Sequence, residues 1–123
     1  MTDRAGKPER TPFALAIREL ATGPVVGGLW AMSLWGSFYV SVVFVPEAMR
    51  GQGVGTELLR QAEQEARARQ CWHMWLDTYD FEARPFYERL GFEVFGQLEG
   101  PAPFYPRYFM RKLLRDEAQA PWV

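Results

Sequence analysis

Val45-Pro46-Glu47-Ala48-Met49-Arg50-Gly51-Gln52-Gly53-Val54-Gly55-Thr56 is the stretch on which the reading of this 123-residue chain turns. Ahead of it, the uncharged, β-branched run from Tyr39 to Val45 predicts a strand that Pro46 stops. Behind it, Val54, Leu58, Leu59, Ala62 and Ala66 recur at helical spacing, which predicts an amphipathic helix to about Gln70. Between the two, Gly51, Gly53 and Gly55 occupy alternate positions. Glycine admits φ > 0 and lets a ligand approach the backbone closely. A helix N-terminus adds unpaired N–H groups and a partial positive charge. Strand, loop and helix together therefore make an anion seat, and the same residues also suit an ordinary glycine-rich turn. A dinucleotide fingerprint would need glycine where Leu58 stands, and a P-loop would need a lysine that the stretch lacks.

Outward from the loop, Val25 to Val45 carries no charge and is long enough to span a bilayer. It contains Gly27, Gly28, Gly36 and Ser37, however, and its second half alternates. Phe38, Val40, Val42 and Phe44 fall on one side, with Tyr39, Ser41, Val43 and Val45 on the other. That pattern predicts two strands joined at Gly36-Ser37. Phe13 to Leu20 reads as a preceding strand with Ala21 to Pro24 as its turn. Cys71 to Asp77 is a strand after the helix, so it should lie parallel to the strand that ends at Val45. A short helix from near Glu82 to Gly91 and two closing strands, Phe92 to Phe95 and Arg107 to Leu114, complete the domain at residues 13–114. Residues 1–12 and 115–123 read as tails.

Composition narrows the class. A net charge of −1 argues against nucleic-acid binding, and the polar start argues against a signal peptide. Cys71 is alone, which excludes an internal disulfide and suits a reducing cytoplasm. His73 is the single histidine and has no partners at metal-ligand spacing, so no metal site is expected.

The order strand, Arg50-x-x-Gly53-x-Gly55, helix, strand, then Ala83-Arg-Pro-Phe-Tyr87-Glu-Arg-Leu-Gly-Phe92 resembles the GNAT superfamily of acetyl-CoA-dependent N-acetyltransferases. The resemblance implies an α/β (α+β) fold: a mixed, mostly antiparallel sheet with one splayed parallel strand pair and helices packed on it. It also implies acetyl transfer from acetyl-CoA to a primary amine of a small molecule or peptide, by direct attack in a ternary complex. The backbone of Arg50, Gly51, Gln52, Gly53, Val54, Gly55 and Thr56 would hold the pyrophosphate, and the edge at Phe44 and Val45 would pair with the pantetheine arm. A backbone N–H there would stabilise the oxyanion. Tyr87 would protonate the leaving thiolate; its other reading is an amphipathic core aromatic beside Phe86.

Two departures from the family pattern stand out. Ser41 occupies the place where relatives often carry a glutamate base, which leaves Asp77, Asp80 and Glu82 as nearby carboxylates. The departures leave three options, a water relay, a displaced carboxylate or low activity; Asp80, which stands where the family often has a cofactor-contacting asparagine, is the carboxylate named as catalytic. The 12 residues ahead of Phe13 are also too few for the helices that usually roof the acceptor site. The cleft is therefore open, or a second subunit covers it through tryptophans such as Trp30, Trp35, Trp72 and Trp75. These same residues read equally as core. Arg107, Arg111, Lys112 and Arg115 read as a solvated strand face from which one could reach the 3′-phosphate of CoA. A non-catalytic acyl-CoA-binding module is the rival reading.

Overall fold

The computed structural model describes residues 10–79 and 83–115. Both expected tails lie largely outside the described residues, as do Asp80 and Glu82. Six strands form one sheet in the order β1-β2-β3-β4-β6-β5, with β1 Thr11–Arg18, β2 Val25–Leu34, β3 Ser37–Phe44, β4 His73–Thr78, β5 Glu93–Leu98 and β6 Arg107–Leu113. All neighbours are antiparallel except β3 and β4, which run parallel across the helix α1, Val54–Ala68. A second helix, α2, spans Ala83–Arg89. The uncharged stretch thus forms two strands of a sheet. Among the described residues no helix is long and apolar enough to cross a membrane.

Both helices sit on one face of the sheet. Leu58, Leu59, Ala62 and Ala66 of α1 are buried against Leu29, Ala31, Phe38, Val40, Met74, Leu76 and Met110 of the central strands. Each buried leucine contributes about 1.5–3 kcal/mol relative to exposure. The Lys112 ammonium of β6 joins the two helices, donating to Glu63 on α1 (2.6 Å) and to the Leu90 carbonyl just past α2 (2.9 Å). At the end of α2 the expected glycine stop is in place. Gly91 has φ +96°, and Phe92 and Gly91 donate back to the Tyr87 and Glu88 carbonyls.

Three expectations need correction. Strand β1 begins and ends two residues earlier than Phe13 to Leu20. The uniform alternation assigned to β3 fails, because a bulge interrupts it: Trp30 pairs with Val42 but Ala31 pairs with Val40, which leaves Ser41 unpaired. One extra residue reverses the faces. Phe38 and Val40 point into the core, Val42 and Phe44 point away from it, and Val43 and Val45 pack inward. Finally, the basic residues of the last strand are not one solvated face. Lys112 lies on the helix side, Arg107 and Arg111 lie opposite, paired with Asp77 and Glu93, and Arg115 stacks over Trp72.

The face that carries no helix among the described residues holds Trp30, Met32, Val42 and Phe44 at 37–48% exposure, together with Trp75, Phe95 and Phe109. Trp30 and Trp35 are therefore exposed rather than core residues. Where β1 pairs with β2, Gly28 has φ +150°, and a Cβ there would collide with the Leu15 carbonyl oxygen. Gly28→Ala should lower unfolding stability in urea by about 3 kcal/mol or more. A variant with an unchanged urea midpoint would contradict that packing.

Candidate functional site

The site begins where β3 and β4 part. Their parallel ladder covers only Ser37–Tyr39 against His73–Trp75. Beyond it both strands continue, to Phe44 and Thr78, without pairing to each other. The Ser41 bulge supplies the bend, since an extra residue increases local twist and turns the strand away from its neighbour. The Ser41 hydroxyl is spent within the sheet, donating to the Trp30 carbonyl at 3.0 Å.

After β3, a 3₁₀ turn at Glu47–Met49 leads into the glycine loop. Gly51 and Gly53 both have φ +79°, and Gly53 is the N-cap of α1 with no side-chain capping bond. The first helical bond runs from the Glu57 N–H to the Gly53 carbonyl at 3.0 Å. The amides of Gly53, Val54, Gly55 and Thr56 are therefore left for an external acceptor. The Arg50 amide is not among them, because it donates to the Glu47 carbonyl at 3.2 Å. Its guanidinium Nε instead holds the loop to the strand through the Val45 carbonyl at 3.0 Å.

Loop and fork enclose a cleft of about 610 Å³. Val43 and Phe44 of β3 and the following Val45 form one wall, and Arg50, Gly51, Gly53, Val54, Gly55 and Thr56 form the floor. Ala83 and Phe86 of α2 close the far side. Gly55 is small for a reason: a Cβ there would lie 3.3 Å from Phe86 Cζ. Among the described residues no carboxylate lines the cleft, and one guanidinium, that of Arg50, does. A donor-rich floor with this charge balance fits a diphosphate, and the apolar wall fits an alkyl arm.

Of the residues singled out in the sequence, Phe44, Val45, Arg50, Gly51, Gly53, Val54, Gly55 and Thr56 meet in this cleft. Gln52 does not line it; its amide side chain donates to the Ala48 carbonyl at 3.3 Å. Tyr87 stands one residue past the Phe86 wall, its ring edge-on to Phe86 at 5.3 Å and to Phe92 at 6.0 Å. It packs partly buried against the core. Asp80 lies outside the described residues.

The fork also holds a polar knot that sequence reading missed. Tyr39 Oη donates to Asp77 Oδ1 at 2.6 Å, and Arg107 Nε donates to Asp77 Oδ2 at 2.8 Å. Burial, then the bond to Asp77, push the Tyr39 phenol up to about 12, so it keeps its proton and serves as a fixed donor. Only the pairing register brings these three residues together, and no local motif announces it. Cys71 is buried, and burial raises its thiol above the usual range.

Residues 1–92 match the family model described as "Acetyltransferase (GNAT) family". The chain is 43% identical over 98 residues to acetyltransferase Atu2258 of Agrobacterium fabrum, spanning 80% of this chain and 70% of that protein. It is 35% identical over 98 residues to the blasticidin-S acetyltransferase of Streptomyces morookaense, covering 77% and 68%. A crystal structure assigned as an acetyltransferase from Agrobacterium tumefaciens superposes with a TM-score of 0.82 at 37% identity, over 91% of this chain and 81% of that one.

His73, on the helix-free face beside the fork, bonds through Nε2 to Ser37 Oγ at 2.9 Å. Burial first, and then the nearby Arg111 charge, hold its imidazole below the ordinary value. The unfolded chain binds that proton more readily, so stability from the neutral ring is lost as pH falls below about 6.5. Because His73 is the only histidine, its ring protons can be followed alone by NMR. Their titration midpoint is expected below about 6.5, and a midpoint above that value would rule out this environment.

Proposed function

Because the chain belongs to the acetyltransferase (GNAT) family, we propose that it moves an acetyl group from acetyl-CoA to an amine in a ternary complex. The observation that carries this reading is the coincidence of three features in one cleft. An uncapped helix start offers its amides, a cation-bearing loop sits beside them, and the adjoining strands have separated. In this reading the amides of Gly51 to Thr56 hold the diphosphate, with Arg50 fixing the loop and adding its charge. Phe44 and Val45 present the unpaired edge of β3 to the pantetheine arm, as an added strand would be held.

Chemistry then takes place at the fork. The amine nitrogen attacks the thioester carbonyl, and a backbone N–H of the opened strand stabilises the oxyanion, worth about 3–4 kcal/mol. Collapse breaks the carbon–sulfur bond, and Tyr87 gives its proton to the departing thiolate. The amine must first lose a proton, and Asp80 is the carboxylate that the sequence offers for this step, directly or through a water. A peptide or small-molecule acceptor would reach the fork from the helix-free face, which a second copy of the chain could roof.

The test pairs binding with turnover. Gly53→Ala introduces a Cβ at φ +79° into open space that the diphosphate would fill. It should weaken acetyl-CoA binding in calorimetry at least about tenfold, and the left-handed φ should also cost the fold about 1–2 kcal/mol. Tyr87→Phe should reduce kcat for CoA release about a hundredfold and leave acetyl-CoA affinity near wild type. Full turnover by Tyr87→Phe would end the role given to that phenol. Tight acetyl-CoA binding with no release across an amine panel would leave a binding module in place of an enzyme.

A further inference from the structure

On the helix-free face the register lines up a row of side chains across four strands: Tyr39 beside Trp75, Trp75 beside Arg111, and Arg111 beside Glu93. At the centre of that row lies a second concavity of about 430 Å³, walled by Trp75, Phe95 and Phe109 with His73 and Arg111 at its polar side. It shares no residue with the acetyl-CoA cleft. This volume lies within the range of small-ligand sites, and three aromatic walls with two polar groups match their usual make-up.

We propose that this slot receives the planar aromatic ring of the acceptor amine, with a hydrogen-bond acceptor on the ring turned toward Arg111. The inference rests on the acetyl-transfer reading above and adds the acceptor's class to it. Three observations carry it. First, Trp75 is both a wall of the slot and the last β4 residue paired to β3, so one residue separates the slot from the start of the fork. A ring lying on Trp75 directs a short aminoalkyl arm to the gap beside Asp77.

Second, the walls already show the geometry that aromatic rings adopt with one another. Phe95 and Phe109 stand 6.3 Å apart at 52°, and Tyr39 packs against the Trp75 ring at 4.2 Å. Phe95 nevertheless remains 50% exposed. Third, the Arg111 guanidinium lies over the Phe95 ring at 5.7 Å and bonds to Glu93 through Nε alone, at 3.3 Å on an exposed edge. Such a pair is weak, so the remaining guanidinium N–H groups are available to a ligand acceptor. With that ion pair in place the slot has little net charge, which favours a neutral or singly anionic ring over a polycation.

The experiment uses the full chain and three probes of similar bulk: benzylamine, para-(aminomethyl)benzoate and cyclohexylmethylamine. Because His73 lines the slot and is the only histidine, its ring signals in NMR report occupancy without any turnover. The two aromatic probes should shift those signals saturably, the benzoate more tightly, while the puckered cyclohexyl ring leaves them in place. Phe109→Leu, which keeps apolar bulk and removes the ring, should weaken aromatic binding about tenfold and leave acetyl-CoA affinity unchanged. Arg111→Gln should abolish the advantage of the benzoate over benzylamine. In the CoA-release assay benzylamine should exceed cyclohexylmethylamine in kcat/KM.

Acetyl-CoA binding without any aromatic perturbation of His73, or equal response to the cyclohexyl amine, would overturn the slot assignment and leave acetyl transfer standing. Saturable aromatic binding without acetyl-CoA binding would do the reverse: the ring site would stand and the transfer reading would fall.

Discussion

One extra residue in β3 governs this molecule. Opposite Trp30 and Ala31 the partner strand supplies Val42, Ser41 and Val40, so Ser41 has no place in the ladder. The core needs Phe38 and Val40 beneath the helices, and the cleft wall needs Val43 and Val45 on that same side. Without the bulge an uninterrupted alternation could not satisfy both. The same residue bends the strand from β4 and limits their shared ladder to Ser37–Tyr39. Core packing and ligand access are thus two results of one local irregularity, with its free hydroxyl tied down on Trp30.

The start of α1 follows the opposite rule from the far ends of the helices. At those ends the donors are satisfied: Gly91 and Phe92 bond back into α2, and Cys71 and Gln70 bond back into α1. At the start of α1 no side chain caps the amides, and the cap residue is a left-handed glycine. Relative to a serine or aspartate cap, glycine forgoes only about a few tenths of a kcal/mol there. The helix recovers it along its length through Glu63–Arg67 and Glu65–Arg69 pairs and through four buried side chains on the sheet.

Much of this was legible in the residues. The period of Leu58, Leu59, Ala62 and Ala66 marked the buried stripe of α1, and the glycine spacing marked a loop with exposed amides. Strand, helix, strand order required the one parallel pair. What stayed hidden depends on register. Nothing in Ser41 itself announces a bulge, so the faces of Val42 and Phe44 were inverted. The Tyr39–Asp77–Arg107 knot joins residues 38 and 30 positions apart, which only the finished sheet brings together. The basic residues of β6 were likewise assigned as one group, although alternation sends Lys112 toward α1 and Arg111 away from it.

At the far end of α1 the Arg69 guanidinium gathers the edge of the sheet. It donates to the Thr11 and Pro12 carbonyls and to Ser33 Oγ, pairs with Glu65, and lies 5.6 Å from the rings of both Phe13 and Phe38. A helix of 15 residues separates this clasp from the glycine loop, about 22 Å at the usual rise. Affinity handles or fused partners attached ahead of Thr11 would therefore leave the body of the protein at the pole opposite the glycine-loop cleft. Immobilisation through that side presents the mouth of the cleft to solution.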